Sequence, residues 1–560
     1  MSIMFPLGIE SFPEVRDGKY YYVDKTEFLK DLLGRQFKAN LITRPRRFGK
    51  TLTMSMLEDY FDISRESTSH FAGLKISEDE ALKKQWMNQW PVIFLTLKSV
   101  EGSSFENAYG MLKVLLSGLC KKYTFLETSE RVDEDDKVLF RELKSQTSSM
   151  ANVKDSLYAL TRMLNAHYGK QTILLIDEYD VPLANASENG YYKEMLELLR
   201  GLLGKALKTN EYLKFSVVTG CLRIAKESLF TGINNFVTDS ITGDRFNECI
   251  GFTDEEVKRI LEDTGFSGHM EEMRSWYDGY RFGDVNVYCP WDVLNHVSAL
   301  QEDPRRQPKN YWGSTSHNGA IYRFISREEL DVNQKFETLL SGGTITEEIT
   351  DELTYDTLNS SEKNLWSLLY LTGYLTLAEG GGYDGNRAVL RIPNEEVKSI
   401  FKTAIVDWFH DSIQLRDRKP LFDALWSGDA ETAMNLISDI LFDTISFHDY
   451  KESYYHAFIA GIFSGAGYMV KSNYEDGLGR SDVVITDRKN RRAILIEAKH
   501  SDSEKRMDAD CIEALEQIRE KKYKQSVERG YRQVTAYGIA FWGKECRMKL
   551  YQEENEKKEE

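Results

Sequence analysis

Residues 39–51 read Ala39-Asn40-Leu41-Ile42-Thr43-Arg44-Pro45-Arg46-Arg47-Phe48-Gly49-Lys50-Thr51. The apolar start of this stretch predicts a short buried strand, and residues 52–60 after it predict a helix. A strand, a loop ending in Gly-Lys-Thr and a helix form the context of a phosphate-binding loop, where backbone N–H groups at the helix start hold phosphate oxygens. We therefore expect the residues from Arg46 to Thr51, with Arg47, Phe48, Gly49 and Lys50 between them, to bind ATP.

Two residues of this loop have specific expected roles. Lys50 would neutralise the β- and γ-phosphates, and the Thr51 hydroxyl would hold Mg²⁺. Arg44 stands where the general pattern has its first glycine, which leaves the path of the loop open. Without a second motif in the chain, an ordinary strand-to-helix turn would be an equally good interpretation.

The second motif is an apolar strand at residues 171–178 that ends in Asp177 and Glu178. A continuous apolar run suits a strand buried on both faces of a parallel sheet, and ligands bind at the carboxyl ends of such strands. Asp177 is expected to hold Mg²⁺ through water, and Glu178 to polarise the attacking water.

Two further runs, residues 91–97 and 213–220, have the same strand pattern. The first falls between the two motifs, which is the arrangement of the additional-strand P-loop ATPases. Thr219, near the end of the second run, then takes the place of a polar sensor beside the γ-phosphate. Arg223 is a candidate γ-phosphate sensor or a finger offered to a neighbouring subunit, and an ordinary surface arginine is an equally good interpretation.

Near the C-terminus, residues 479–486 and 493–499 predict two strands joined by a polar turn. We expect an antiparallel hairpin in which Thr486 lies opposite Ala493. A slip of one residue in this register would turn every side chain of one strand to the other face.

In that register Asp482 lies opposite Glu497, and Lys499, two residues further on, shares their face of the sheet. Opposed carboxylates repel each other, and a bound divalent cation such as Mg²⁺ is the simplest explanation for their pairing. The lysine would then act on a metal-bound water or on phosphate. A solvated hairpin end with ordinary charges is the alternative.

The spacing Asp–x14–Glu–x–Lys resembles the catalytic core of the PD-(D/E)xK nuclease superfamily. That family places an acidic residue on a helix before the hairpin, and the helix-like residues 450–463 contain Glu452. A glutamine recurs on the following helix in one branch of the superfamily, and residues 510–523 contain Gln517. The resemblance thus implies a catalytic set of Glu452, Asp482, Glu497, Lys499 and Gln517. Ser481 replaces the proline of the family motif, which is not a metal ligand.

The N-terminal motifs together resemble the bacterial AAA-ATPase-like family, in which an RPRRFGKT loop is itself the usual form. The motifs are Pro6-Leu7-Gly8-Ile9, Tyr22-Val23-Asp24-Lys25-Thr26, the loop from Arg44 to Thr51, Ile176-Asp177-Glu178-Tyr179-Asp180, and residues 220–235. Members commonly carry a C-terminal PD-(D/E)xK-type nuclease domain. The resemblance implies an α/β fold class: a P-loop ATPase parallel sheet with flanking helices, a mainly helical middle domain and a C-terminal α/β nuclease-like domain.

We place the domains at residues 1–265 for the ATPase, 266–435 for the middle domain and 436–560 for the nuclease-like domain. In the middle domain, residues 365–377 and 388–393 predict a small unit of a helix and a hairpin. A lid, a substrate reader and a spacer would all show this pattern.

The composition excludes several classes of protein. A net charge of −17 does not suit a chain that coats nucleic acid nonspecifically, so any contact with nucleic acid must come from local basic patches such as residues 44–47 and 521–524. The six cysteines form no CxxC pair, which indicates neither a zinc site nor a redox motif. The sequence shows no secretory leader and no apolar run of about 20 residues, so we expect a cytoplasmic protein that does not enter a membrane.

These patterns predict a protein that binds and hydrolyses ATP and that regulates a nuclease dependent on Mg²⁺ or Mn²⁺. Its expected partner is DNA or RNA, and assembly into a homo-oligomer is compatible with the architecture. A role in defence or in control of mobile elements would suit this combination. The alternative is a nucleotide-dependent switch or scaffold whose C-terminal domain binds nucleic acid without cutting it.

Overall fold

The structure is a computed structural model of the 560-residue chain. It describes residues 3–35, 37–224, 236–313, 333–351, 353, 355, 361–380, 387–414, 419–444, 469–476, 479–520, 527–528, 530–543 and 545–552. The chain divides into two compact units, Met1–Ala320 with Thr344–Ile400, and Ile321–Gly343 with Phe401–Glu560. The three domain boundaries proposed from the sequence stay a prediction.

Helices and strands alternate through the first unit and surround one sheet in the second. The helices are Phe12–Asp17 (α1), Glu27–Arg35 (α2), Lys50–Phe61 (α3), Thr68–Phe71 (α4), Glu80–Trp86 (α5), Phe105–Lys122 (α6), Glu134–Ser145 (α7), Met150–Tyr168 (α8), Val181–Asn189 (α9), Tyr192–Leu207 (α10), Asp254–Thr264 (α11), Met270–Tyr277 (α12), Pro290–Glu302 (α13), Asn333–Leu340 (α14), Glu362–Leu371 (α15), Glu395–Gln414 (α16), Lys419–Ser427 (α17), Ala430–Thr444 (α18) and Met507–Glu520 (α19). The strands are Ala39–Thr43 (β1), Val92–Thr96 (β2), Thr172–Asp177 (β3), Leu213–Gly220 (β4), Phe236–Asp239 (β5), Tyr280–Phe282 (β6), Val285–Val287 (β7), Ile345–Glu348 (β8), Thr376–Leu377 (β9), Arg387–Arg391 (β10), Met469–Asp476 (β11), Gly479–Asp487 (β12), Arg492–His500 (β13), Gln533–Trp542 (β14) and Glu545–Leu550 (β15).

The main sheet of the first unit is parallel, with the strand order β2-β3-β4-β1-β5. Strand β4 lies between β1 and β3, the strands of the two motifs, whereas β2, the predicted strand that falls between the motifs in the sequence, pairs with β3 at the edge of the sheet. The additional strand between the two motif strands is therefore β4 rather than β2. Every residue of β1 and of β3 is buried, because apolar residues of α6, α8 and α10 pack with them in one core. A parallel sheet covered by helices needs such continuous apolar strands.

Helix α3 begins at Lys50, two residues earlier than the sequence suggested, directly after Gly49. Gly49 has φ = 91°, and a Cβ atom built there would meet no atom within 4 Å. The position therefore requires glycine for its left-handed backbone rather than for lack of space. Further along, Thr253 forms a complete capping box with Glu256 at the start of α11.

The remainder of the first unit contains small sheets between helices. Strands β6 and β7 form a hairpin, and β8, β10 and β9 form an antiparallel sheet beside α15. The helix-plus-hairpin unit predicted for this part of the chain is thus confirmed.

The second unit is built on a mixed sheet with the order β11-β12-β13-β14-β15. Strands β12 and β13 pair antiparallel with Thr486 opposite Ala493, which confirms the predicted register. Strand β14 runs parallel to β13, and helix α19 connects them. One face of the sheet packs against α17 and α18. Apolar residues on the other face, including Leu495, pack against Ile518 of α19.

In the part of the chain that the structure describes, no helix combines the length and the apolar character needed to cross a membrane.

Candidate functional site

Lys50 lies at the centre of the phosphate-loop site and is only 3% exposed. Its Nζ donates to the carbonyl oxygens of Arg44 (3.2 Å) and Pro45 (3.1 Å) and lies 3.4 Å from Glu178 Oε1. Burial acts to lower the pKa of Lys50, but nearby Cys221 and the acidic groups led by Glu178 outweigh it and raise the pKa overall. The lysine is therefore a charged group held inside the loop.

Asp177 ends β3 and joins the two motifs. Its Oδ2 accepts from the Thr51 hydroxyl at 2.9 Å, and its Oδ1 accepts from the Thr219 hydroxyl at 2.6 Å. Burial and the neighbouring Glu178 raise the pKa of Asp177, while the two hydroxyl hydrogen bonds lower it. The sheet thus brings the predicted metal ligands, Thr51 and Asp177, and the predicted sensor Thr219 into one hydrogen-bonded group.

The backbone around this group is strained at two non-glycine positions. Glu178 has φ = 52° and Arg47 has φ = 71°. Left-handed conformations of such residues cost about 1–3 kcal/mol and cluster at functional sites. At Glu178 this conformation follows directly after the end of β3, and the carboxylate lies beside Lys50.

Arg44 explains the missing glycine of the loop. Its side chain is fully buried, and its guanidinium donates to Asp239 Oδ1 at 3.2 Å, to the Asp239 carbonyl at 3.2 Å and to the Arg245 carbonyl at 2.9 Å. Asp239 is the last residue of β5. The loop path that the sequence left open is therefore fixed by an ion pair between the loop and the neighbouring edge strand.

Three further loop residues, Arg46, Arg47 and Phe48, have different surroundings. Arg46 lines the cleft, within electrostatic reach of acidic groups that include Glu178. The Arg47 guanidinium lies over the ring of Trp291, 4.4 Å from its centroid. The Phe48 ring is buried and packs against two aromatic rings of the β6–β7 hairpin, so its side chain belongs to the core even though the residue borders the cleft.

A cleft of about 550 Å³ opens from the loop. Beyond the phosphate-loop residues, its wall is mainly apolar and aromatic and is formed by Pro6, Leu7, Ile9, Tyr21, Tyr22, Val23, Phe252, Pro290, Trp291 and Leu294. A nucleotide-sized ligand fits such a volume, because small-molecule sites in proteins measure about 300–1,000 Å³. The Pro6–Ile9 motif and three residues of the Tyr22–Thr26 motif, Tyr22, Val23 and Lys25, thus line the same cleft as the loop.

Asp180 is a buried acid to which the sequence analysis gave no role. Its carboxylate accepts from the backbone N–H groups of Cys221 and Leu222, and burial together with Glu178 raises its pKa to about 6. A Cβ at Gly220 would lie 2.5 Å from the Asp180 carboxylate, so the end of β4 has room only for glycine. The acidic residues that follow one another at the end of β3, Asp177, Glu178 and Asp180, were the sequence feature that could have identified it.

Arg223 lies three residues beyond β4, where its carbonyl accepts from Leu353 N at 3.4 Å. Its role as a γ-phosphate sensor or finger stays a prediction.

A pair of buried acids lies behind the loop and was also missed. Asp292 of α13 and Glu396 of α16 are fully buried, and Glu396 Oε1 accepts from the backbone N–H groups of Tyr311 and Trp312. The two carboxyl groups interact with each other in the core, and ionising both would bring two negative charges together without water. Burial followed by the charge of Asp292 raises the pKa of Glu396 to about 10.

In the second unit, the structure brings three predicted site residues together at the β13–α19 contact. Glu497 is 1% exposed, and Lys499 lies two residues further along the same strand. The Lys499 Nζ donates to Gln517 Oε1 at 2.7 Å. The resemblance placed Gln517 in the catalytic set, and the structure shows that its amide oxygen accepts a hydrogen bond from Lys499.

The remaining two residues of the predicted set are described in part or not at all. The pairing of β12 with β13 ends at Val483 and Ile496, one residue before the predicted pair of Asp482 and Glu497. The Asp482 side chain and the whole of Glu452 lie outside the described residues. Within the described ranges, no cluster of three or more acidic, histidine or cysteine side chains could hold a metal, and a site formed by Asp482 and Glu497 stays a prediction.

Comparisons with known proteins agree with this geometry. Residues 6–230 match the family described as predicted AAA-ATPase, and residues 450–550 match the PD-(D/E)XK nuclease superfamily. The chain is also 25% identical over 493 residues, 86% of each chain, to a protein from Azotobacter chroococcum mcd 1 described as "Uncharacterized protein in vnfD 5'region". The two family matches confirm the predicted architecture: this chain joins an AAA-ATPase-like domain to a domain of the PD-(D/E)XK nuclease superfamily.

Proposed function

We propose that the chain is an ATP-regulated nuclease: the first unit binds and hydrolyses Mg-ATP, and the second cleaves phosphodiester bonds of DNA or RNA with Mg²⁺ or Mn²⁺. The observation that carries this proposal is that each unit holds a lysine near a buried carboxylate. Lys50, at the start of α3, lies within electrostatic reach of Asp177 at the end of β3, and Lys499 lies two residues after the buried Glu497 on β13. Both pairs suit chemistry on phosphate oxygens. The combination also suits a role in defence or in control of mobile elements.

The residues around Lys50 fit a bound nucleotide. The Lys50 ammonium, now paired with Glu178 at 3.4 Å, would exchange this partner for the β- and γ-phosphates. Glu178 would then be free to accept a hydrogen bond from a water molecule and to orient it for attack. The aromatic wall of the cleft, including Tyr21 and Trp291, would hold the nucleoside.

The same group contains oxygen donors that suit Mg²⁺. The Thr51 hydroxyl and the Asp177 carboxylate are 2.9 Å apart, and hydroxyl and carboxylate oxygens are ligands that this ion prefers. Thr51 and Asp177 would hold the ion, the latter through water. When bound, Mg²⁺ supplies positive charge to the phosphate oxygens, while Thr219 keeps the Asp177 carboxylate oriented.

In the second unit, Glu497 fits a metal ligand because it is a buried carboxylate two residues from Lys499, and carboxylate oxygens are ligands that Mg²⁺ prefers. Asp482, opposite in register, would supply the second carboxylate, and Glu452 would assist from the preceding helix. When bound, Mg²⁺ lowers the pKa of a coordinated water and polarises the phosphate. Lys499, held by Gln517, would stabilise charge on the phosphate or orient the water.

A cleavage assay tests the proposal. Labelled DNA and RNA are incubated with the protein in Mg²⁺, Mn²⁺ or EDTA, each with and without ATP. We expect metal-dependent cleavage that changes with ATP, and a loss of cleavage of about 100-fold or more in Lys499→Ala. Lys489→Ala, in the exposed turn of the same hairpin, is the matched control and should cut normally. Binding without any cutting by the wild type would instead support the scaffold interpretation.

Metal binding gives a readout that is independent of activity. Calorimetry with Mn²⁺ should show binding to Lys499→Ala and much weaker binding to Asp482→Ala, because only the aspartate is a proposed ligand. Equal Mn²⁺ affinity in both variants would remove Asp482 from the site.

The ATPase half is tested with Glu178→Gln. This variant should bind ATP but turn it over about 100-fold more slowly, because it loses the group that polarises water and keeps Asp177. Normal turnover would place the catalytic base at another residue.

A further inference from the structure

A group of lysines and tryptophans lies at the amino ends of the strands of the main sheet, whereas the phosphate loop lies at their carboxyl ends. Lys38 directly precedes β1, Lys170 precedes β3, and Lys214 is the second residue of β4. Trp86 ends α5, and Trp90 precedes β2. We call these five residues the lysine–tryptophan patch. Because the strands are parallel, the patch gathers at their amino ends, about 17 Å from the phosphate loop along a five-residue strand.

The two tryptophans hold two of the lysines by cation–π contacts. Lys214 Nζ lies 4.6 Å from the ring centroid of Trp90 and 5.3 Å from that of Trp86. Lys170 Nζ lies 5.9 Å from the Trp90 centroid and also donates to the Gln89 carbonyl at 2.9 Å. An ammonium over an aromatic ring is attracted by the ring quadrupole but keeps its positive charge. The rings therefore fix the position of the charges without neutralising them.

The third lysine completes a concentration of positive charge. Lys38 donates to the carbonyl of Leu213, the residue before Lys214. Burial first, and then the charge of Lys214, lower the pKa of Lys38, so these two ammonium groups repel each other. Among the residues that the structure describes, no salt bridge joins any lysine of the patch to a carboxylate.

Other lysines of the same unit are neutralised within the chain. Lys98 pairs with Glu10, Lys154 with Glu197, and Lys205 with Asp155. In a chain with a net charge of −17, three mutually close lysines without such partners leave a local positive surface that an external anion would stabilise.

The structure also changes where such a surface is found. Of the two basic stretches named from the sequence, the one at residues 44–47 has Arg44 buried in its ion pair with Asp239 and Arg47 over Trp291. The other, at residues 521–524, lies outside the described residues. The lysine–tryptophan patch joins residues from four separate segments, so no run of basic residues marks it in the sequence.

We propose that the lysine–tryptophan patch binds the phosphodiester backbone of nucleic acid. Lysines held at fixed positions contact phosphates regardless of base sequence, and such contacts position a strand without reading it. Nucleic acid is favoured over an acidic protein segment because the same chain carries a domain of a nuclease superfamily. The proposal rests on the chain acting on nucleic acid but not on its cutting it.

Fluorescence anisotropy tests the patch on the full-length chain. Labelled DNA and RNA strands of about 30 nucleotides and a DNA duplex are titrated in EDTA, which prevents cleavage, at about 50–300 mM KCl. The test variant is Lys38→Gln/Lys170→Gln/Lys214→Gln. The control, Lys113→Gln/Lys121→Gln/Lys205→Gln, changes the net charge equally on α6 and α10.

We expect the test variant to bind about tenfold or more weakly and its log–log salt slope to be shallower by about one for each lysine that contacts phosphate. The control should resemble the wild type, and Lys38→Arg/Lys170→Arg/Lys214→Arg should keep binding. Anisotropy with a fluorescent ATP analogue checks that each variant is folded. If the triple test variant is unfolded, the single variant Lys214→Gln replaces it, and its log–log salt slope should be shallower than that of the wild type by about one.

An unchanged affinity and salt slope in the folded test variant would overturn the proposal. Polyglutamate that displaces DNA as effectively as unlabelled DNA does would overturn it in favour of an acidic protein partner. Because cleavage is absent from the assay, a failure of the nuclease assignment leaves this result unaffected. The DNA and RNA titrations show which strand the patch prefers.

Discussion

The phosphate-loop site and the hairpin site both contain a lysine beside a carboxylate, but they hold it differently. Lys50 is almost fully buried, donates to two loop carbonyls and faces Glu178. Lys499 is only partly buried and has one recorded hydrogen bond, from its Nζ to Gln517. In the first site the groups that would meet the ligand also hold the loop in shape. In the second site, Lys499 lies on β13 but does not belong to the apolar clusters that pack on the two faces of that strand.

This difference predicts how substitutions should act. Changes around the loop should alter stability and ligand affinity together, whereas changes around the hairpin lysine should alter cleavage alone.

The strongest test is Arg44→Met, which removes one partner of a buried ion pair. Among the described residues, the variant leaves the buried Asp239 with only a 3.8 Å ion pair to Arg245, and removing one partner of a buried pair costs about 3–5 kcal/mol. Urea unfolding should show this loss in the transition of the first unit, and calorimetry should show weaker ATP binding. Arg44→Met/Asp239→Leu should recover part of the stability. A loss below about 1 kcal/mol would mean that the ion pair does not hold the loop.

The second test is Lys50→Ala. The variant should bind ATP about 100-fold more weakly, or about 2.7 kcal/mol, because the phosphates lose their internal cation. Calorimetry measures the affinity, and circular dichroism shows that the chain is folded. Lys113→Ala on α6 controls for the loss of a lysine. Unchanged ATP affinity in the folded variant would remove the loop from the nucleotide site.

The third test is Gln517→Ala in the second unit. Cleavage should fall about tenfold, or about 1.4 kcal/mol, because Lys499 loses the acceptor that orients it. The fall should be in kcat rather than in KM, and the unfolding free energy should change by less than about 0.5 kcal/mol. Glu516→Ala, the exposed neighbour on α19, is the control. A large loss of stability would show that the two sites do not differ as described.

The smallest effect is expected at Glu396, which gives the first unit a pH dependence. Burial and then the charge of Asp292 raise the pKa of Glu396 above its usual value of 4.5, so the folded protein keeps a proton that the unfolded chain releases above about pH 4.5. The stability from this proton is fully present below that pH and is lost as the pH rises through the raised pKa. Glu396→Gln keeps the acceptor for Tyr311 and Trp312 and removes the titration.

The melting temperature of Glu396→Gln relative to the wild type should therefore rise as the pH increases from about 5 to about 9. A constant difference across this range would show that Glu396 is not protonated in the folded chain.

The sequence predicted the elements whose signals are local. The strands at residues 39–43 and 213–220 and the register of Thr486 with Ala493 are confirmed, because apolar runs and turn residues fix them. Gln517 was named through family resemblance rather than through spacing, and its contact with Lys499 is known only from the structure. The assigned roles of these residues stay predictions.

Contacts between residues that are far apart in the sequence could not be predicted. Arg44 finds Asp239 at a separation of 195 residues, and Asp292 meets Glu396 from a different helix. No periodicity links such positions, because they are brought together only when the whole unit packs. The same is true of the lysine–tryptophan patch, whose members come from separate strand starts.

The buried Arg44 also has a consequence for the thermodynamics of ligand binding. A glycine at this position would leave the loop many conformations, and a nucleotide would have to restrict them when it binds. Here the arginine restricts the loop during folding, so the ordering entropy is lost before any ligand arrives. Nucleotide binding to this chain should therefore carry a smaller entropic penalty than binding to a glycine-initiated loop of the same length.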